Sequence, residues 1–340
     1  MGFIFNADAL NIVAAVCYGL PMNEHLTVSI ASRHQEALDI VSFRLVDPTG
    51  RPLPSFSAGS HIDVEIQPGL IRQYSLCNKP EQPFYEIAVL KDPASRGGSV
   101  GMHDLAEGEL VSISQPKNYF PLSDGAKRSL LFAGGIGITP LLSMAQQLSV
   151  THSNFRLFYC ARTNKRMAFV DRIKEAAYAS QVSFHLDDEP FSQRLVPERE
   201  LANVDKDTHV YICGPAGFMS WILNAARSAG WLESQLHVEY FANTEVQPSN
   251  QSQNFEVQVG LNGPVFTIEP DQSITNVLRT NGVYIPTSCE QGICGTCLTT
   301  VLDGVPDHRD QFLTEGERAA NAMIMPCCSR AKSPRLILDI

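Results

Sequence analysis

Cys289, Cys294 and Cys297 stand as C-x4-C-x2-C near the C-terminal end of this chain, and PCCSRA follows with the adjacent Cys327 and Cys328. A plant-type 2Fe-2S cluster takes thiolates at this spacing, three from one loop and a fourth from a distance. The loop must wrap the cluster, so Gly292 and Gly295 are expected to let its backbone approach and to leave amide N–H groups free for the sulfides. Zinc also accepts four thiolates, but its sites present paired C-x2-C knuckles, and this stretch has one such pair. Spacing alone leaves the fourth ligand open between Cys327 and Cys328, whose side chains face opposite ways on an extended segment.

Composition limits what surrounds these sulfurs. A chain of 340 residues is too long for one ordinary core, so two or three domains are expected. Its net charge of −10 lacks the basic surface that nucleic acids and anionic membranes require, so neither is an expected partner. The nine cysteines are an odd number with no export signal before them, which points to a reducing cytoplasm and not to disulfides. Residues 1–22 read as an N-terminal extension. No Lys or Arg precedes their apolar part, and Asn6, Asp8 and Asn11 interrupt it, so neither export nor membrane insertion is expected.

Three units are expected to position the chemistry. Over 23–125 the runs LTVSIASRH, IVSFRLVD, HIDVEIQPG, YEIAVLKD and LVSISQPK alternate between turn residues, the pattern of a small antiparallel β-barrel. Within it, RQYSLCN carries Arg72, Tyr74 and Ser75, a cation, an aromatic ring and a hydroxyl able to meet a phosphate, a planar ring and a ring edge. The turn ASRGGS adds Gly97, Gly98 and Ser99, whose unobstructed N–H groups and hydroxyl suit a phosphate. Taken singly, Arg72 serves equally as a carboxylate's partner and Tyr74 as filler of the barrel mouth.

Over 126–243 the order becomes strand then helix, which gives a parallel α/β sheet. RSLLFAGGIGITP ends a buried strand at Gly135 and Gly137 and opens a helix, with Pro140 where a dinucleotide fingerprint has Gly or Ala. Thr139 is expected to cap that helix and Pro140 to fit its first turn, aiming the helix N-terminus at a pyrophosphate. Cys213, Gly214 and Pro215 end a second buried strand, where such sheets place their ligands; the thiol itself reads as buried and inert. Residues 244–253 are a polar linker, and 254–340 form a third domain carrying the cysteines.

Together RQYSLCN, DPASRGGS, LLFAGGIGITP, YICGP and CCSRAK resemble the phthalate dioxygenase reductase family over about residues 26–340. The resemblance implies a flavin barrel, a nicotinamide domain and an α+β β-grasp ferredoxin domain. It implies FMN, with Tyr74 against the isoalloxazine, Ser75 near N5, and Arg72, Gly97, Gly98 and Ser99 about the phosphate. It sets Cys213, Gly214 and Pro215 beside the nicotinamide and Phe241 over the flavin. The family's Cys-x-Ser-Arg-Ala chooses Cys327 as the fourth iron ligand. NADH is the implied donor, with NADPH the alternative because Arg162, Lys165 and Arg166 stand nearby in sequence.

Hydride passes between bound cofactors in such a reductase, so no side chain is singled out as acid, base or nucleophile. The implied partner is a separate Rieske-type oxygenase, the chain having no Rieske spacing of its own. Another acceptor, such as a cytochrome or a non-aromatic oxygenase, is the nearer alternative. A zinc-stabilised, dinucleotide-binding regulator is the alternative outside enzymes, and it predicts a colourless protein.

Overall fold

The computed structural model describes residues 25–93, 95, 97–188, 190, 193–241 and 253–340. The extension read at 1–22, most of the linker read at 244–253, and Arg96 of the glycine turn lie outside them. Strands β1 (Leu26–Ala37), β2 (Ile40–Val46), β3 (His61–Gln67), β4 (Leu70–Ser75), β5 (Tyr85–Leu90) and β6 (Leu110–Ile113) form the first unit, with helix α1 (Gly98–Asp104) between the last two. They pair antiparallel in the order β4-β3-β6-β1-β2-β5, and a bridge between Leu76 and Ile87 joins the outer edges into a barrel. Alternation buries one side of each strand, and Val28, Ile30, Phe43, Ile62, Val64, Ile87 and Ile113 fill the interior. The sequence presents residues 97–99 as a turn; the chain instead enters α1 at Gly98. Two glycines disguise that helix because they are poor helix formers, and its packing on β3 and β5 holds it.

The second unit runs β7 (Arg128–Gly134), α2 (Ile138–Val150), β8 (Asn154–Ala161), α3 (Val170–Lys174), β9 (Val182–Leu186), α4 (Pro197–Glu200), β10 (Thr208–Cys213), α5 (Ala216–Ala229) and β11 (Leu236–Glu239). Its strands are all parallel, in the order β11-β10-β7-β8-β9. The order reverses between β7 and β10, and such a switch point opens a crevice at the strands' carboxyl ends. Helix α2 locks this unit to the barrel: Ser143 Oγ donates to the Asn78 carbonyl at 2.9 Å and Gln146 Nε2 to the Cys77 carbonyl at 2.9 Å. Their apolar faces share one core, in which Ile40, Ala58 and Phe120 meet Ile138, Leu141 and Met144.

The third unit comprises β12 (Phe255–Val259), β13 (Val265–Ile268), α6 (Ile274–Thr280), β14 (Thr299–Asp303), β15 (Pro306–Asp307), α7 (Glu315–Ala320), β16 (Met323–Ile324), β17 (Arg330–Ala331) and β18 (Arg335–Leu338). Its main sheet, β13-β12-β18-β14-β16, sets β12 parallel to β18 and leaves the other pairs antiparallel. Ser273 caps α6 by accepting from Asn276 N–H, and the helix ends at Asn281 and the left-handed Gly282. Arg330 is buried and structural. Its guanidinium donates to the carbonyls of Gln272, Gln253 and Glu269 and lies over the Phe255 ring. Among the described residues no helix is long and apolar enough to cross a membrane, and every cysteine is a free thiol.

Candidate functional site

The two glycine turns flanking the switch point touch backbone to backbone. A Cβ on Gly137 would overlap the Cys213 carbonyl, and one on Gly214 would come within 2.9 Å of Gly134 Cα. Helix α2 therefore starts hard against the end of β10. Its N-cap is Gly137, without a side-chain cap. The expectation that Thr139 caps the helix is corrected: the chain has already turned helical at Ile138, so Thr139 is buried one residue further in and its hydroxyl donates to the Ile136 carbonyl at 3.1 Å. Pro140 lies in the first turn, where its missing N–H costs nothing. Cys213 is wholly buried; burial, then the nearby Glu239, push its thiol pKa well up, so it is held as a neutral thiol.

A cavity of about 770 Å³ opens at this end of the sheet, lined among others by Gly135, Pro215, Phe218, Arg162, Arg166 and Asp187. The three basic residues named above separate here. Arg162 and Arg166 reach this cavity, with Arg166 held 3.7 Å from Asp39, while Lys165 lines a different one. Asp187 went unnoticed in the sequence. It stands just past β9, pinned by its N–H to the Ala161 carbonyl at 3.1 Å, and places a carboxylate on the cavity wall beside Arg162 and Arg166.

On the barrel, Arg72 runs its side chain over Gly98, where a Cβ would stand 2.7 Å from Arg72 Cγ. Gly97 precedes it with φ of 89°, a left-handed geometry open to glycine at little cost. Ser99 is occupied locally, its hydroxyl accepting from Asp92 N–H at 3.0 Å. Alternation along β4 sends Tyr74 onto the barrel core, where burial raises its pKa. Ser75 faces elsewhere, into a second cavity.

That cavity, of about 300 Å³, is where all three units meet. Arg72, Gln73 and Ser75 come from β4, Glu239 and Phe241 from the end of β11, and Cys289 and Cys294 from the cysteine loop. His61 also lines it, and burial lowers its pKa to about 4, so it is a neutral imidazole. Glu239 is the least expected member: it is half-buried at the cavity wall, burial raises its pKa to about 8, and its carboxyl lies 3.2 Å from Ser75 Oγ. Folding thus tightens the proton's hold on Glu239. The stability this confers is complete below the ordinary carboxylate range and is lost as pH rises through about 8. Glu239→Gln should flatten the fall in melting temperature between about pH 5 and about pH 9 by roughly 5 °C, as differential scanning calorimetry across that range will read; a wild-type slope in the variant removes Glu239 as its source.

In the cysteine loop Cys289 lies against Cys294, and Cys327 against both Cys297 and Cys328. Contact with Cys294, then burial, raise the Cys289 thiol pKa, and the same contact lowers Cys294 to about 6, with Thr296 Oγ1 3.2 Å from its sulfur. Contact with Cys297 is the largest cause raising Cys327, followed by Cys328 and burial. Among the described residues no three His, Cys, Asp or Glu side chains gather about one point as a single ion needs. Two irons need two thiolates each, a number that Cys289, Cys294, Cys297 and Cys327 can supply, and Gln291 N–H already donates to Cys289 Sγ at 3.3 Å. Cys328, half-buried, also touches Cys327, and its sulfur lies 3.7 Å from the Met325 carbonyl. Gly292 and Gly295 owe their identity to more than approach of the cluster. Their φ values are 71° and 74°, and a Cβ would overlap Cys328 Sγ at the first and the Phe312 ring at the second.

Two family models match the chain: a dimethylamine monooxygenase subunit DmmA-like N-terminal domain over residues 113–236, and a 2Fe-2S iron-sulfur cluster binding domain over 259–332. The vanillate O-demethylase oxidoreductase of Pseudomonas sp. (strain HR199 / DSM 7063) is 50% identical over 317 residues, which cover 93% of this chain and 100% of that one. A solved phthalate dioxygenase reductase, described as a modular structure for electron transfer from pyridine nucleotides to 2Fe-2S, superposes with a TM-score of 0.75 at 39% identity. It covers 93% of this chain and 98% of its own. A type IV self-sufficient cytochrome P450 monooxygenase gives 0.78 at 39% identity, with 93% of this chain matched to 41% of that one.

Proposed function

The chain belongs to the phthalate dioxygenase reductase family, and on that premise we propose that it carries electrons from NADH through FMN and a 2Fe-2S cluster to a separate Rieske-type aromatic oxygenase or O-demethylase. The observation that carries this reading is the cavity shared by β4, the end of β11 and the cysteine loop, because it brings one residue set from each unit to a single point. Bound flavin takes up a hydride's electron pair and releases electrons singly, and the cluster carries them one at a time.

The chain's own groups divide the work. We assign Gly135, Gly137, Thr139 and Pro140, with Cys213, Gly214 and Pro215, to holding and orienting the dinucleotide; the buried ones act through backbone shape. NADH is assigned as the donor on the family; the cavity wall itself carries Arg162 and Arg166 as well as Asp187. Arg72, Gly97, Gly98 and Ser99 are assigned to the flavin phosphate, Tyr74 and Ser75 to its ring system, and Phe241 to covering it. Tyr74's inward packing favours a supporting role beneath the ring site. Cys289, Cys294, Cys297 and Cys327 are assigned to the irons. Free thiols throughout the described residues support a reducing cytoplasm.

A second acceptor class has one observation in its favour: the same three-unit arrangement matches part of a self-sufficient P450 chain. Anaerobic titration of the purified protein with NADH tests the relay itself. Flavin and cluster absorbance should bleach together on about one and a half NADH per protein, enough for three electrons. Fully metallated protein without a cluster band refutes the assignment.

A further inference from the structure

The barrel grips the cysteine loop by a contact that the relay does not itself use. Asp63, on β3, is buried, and its carboxylate accepts from Lys117 Nζ at 2.6 Å, Gln73 Nε2 at 2.9 Å and Ser288 Oγ at 2.6 Å. Two of those donors belong to the barrel. The third, itself buried, immediately precedes Cys289 and lies 225 residues away in sequence. Lys117 is fixed in turn, because its backbone and that of His61 exchange both N–H···O bonds at 2.9 Å. Two residues beyond it, the Tyr119 ring meets Phe312 edge-on with centroids 6.2 Å apart, and Phe312 occupies the space a side chain on Gly295 would need. The loop is therefore held on both flanks, before Cys289 and between Cys294 and Cys297.

We propose that Asp63, Lys117 and Ser288 form a latch that seats the cluster loop against the flavin cavity, making Ser288 and Asp63 positioning residues for electron transfer from flavin to cluster. Hydrogen bonds to an ionised carboxylate are short and strong, and this one is shielded from water. Lys117 and Gln73 hold the Asp63 carboxylate from the barrel side, and Ser288 supplies the closing contact from the loop. Tunnelling weakens exponentially with the gap between donor and acceptor, so a loop free to lift from the cavity passes electrons more slowly even when both cofactors are intact.

The inference rests on the relay proposed above, and Ser288→Ala in the full-length, cofactor-loaded protein tests it. Mixed anaerobically with NADH in a stopped-flow instrument, the variant should bleach its flavin at the wild-type rate but reduce its cluster roughly tenfold more slowly. The slowed phase should also lengthen with added glycerol, as motion of the loop comes to gate it. Independently of turnover, backbone amides 288–293 should exchange hydrogen faster, while iron content and the electron paramagnetic resonance signal of the cluster stay unchanged. Wild-type cluster reduction together with wild-type exchange in Ser288→Ala overturns the latch. Wild-type protein whose cluster NADH never reduces overturns the relay instead. Should Ser288→Ala lose iron, Asp63→Asn decides, since it leaves the loop's own sequence intact: slowed cluster reduction upholds the latch, and the wild-type rate overturns it.

Discussion

Cys327→Ser should purify with its flavin and without its cluster, whereas Cys328→Ser should keep both. The two thiols are neighbours in sequence and touch, Cys327 buried and Cys328 half-buried. Cys327 is buried against Cys297, while Cys328, half-buried, touches Cys327 and packs beside Gly292 and the Met325 carbonyl; the family's Cys-x-Ser-Arg-Ala pattern falls on Cys327. A serine oxygen at position 327 is a poor substitute for a thiolate on iron, and the cluster needs all four ligands. Iron and labile sulfide should fall from about two each per protein to near zero in Cys327→Ser. Electron delivery to a one-electron acceptor that draws on the cluster should drop beyond the ~10–100-fold that loss of an outer-shell partner costs. NADH should still bleach the flavin, which separates the loss of the cluster from a general failure to fold. Iron retained in Cys327→Ser and lost in Cys328→Ser would reverse the ligand assignment.

What the sequence made legible is what short-range patterns encode. Period-two alternation marked β1, β2, β3, β5 and β6, a glycine run after a buried strand marked the turn into α2, and the cysteine spacing marked the cluster loop. The residues it hid depend on distant partners. Glu239 reads as an ordinary polar position on a strand; its hydrogen-bond partner is Ser75, 164 residues earlier. Asp63 and Ser288 carry no local signal, since the aspartate lies in an alternating strand and the serine in a loop. The cap assigned to Thr139 failed because the helix begins at Ile138, a start set by contact of Gly137 with β10 and invisible to a cap-residue pattern. Helix α1 escaped for the complementary reason, its glycines arguing against a helix that packing supports.

Gly137→Ala should slow hydride transfer from NADH by about 100-fold while leaving flavin and iron content unchanged. Backbone strain is not the cause, because Gly137 has φ of −62°, which alanine adopts freely. Contact is the cause. The new Cβ would overlap the Cys213 carbonyl carbon and oxygen and come within 2.7 Å of Gly214 N. These are backbone atoms, and no rotamer change moves them aside, so the turns after β7 and β10 must separate. They flank the switch point, where the dinucleotide is proposed to lie, and near-attack geometry tolerates little displacement. Gly135 provides the contrast. Its φ of 55° makes alanine strained, but nothing lies within 4 Å of the new Cβ, so Gly135→Ala should cost about 1–2 kcal/mol of stability and little in geometry. Stopped-flow bleaching of the flavin by NADH, read as limiting rate and apparent dissociation constant, compares the two. A wild-type limiting rate in Gly137→Ala with a slow one in Gly135→Ala would mean that turn conformation, and not the backbone contact between the strands, sets the nicotinamide's place.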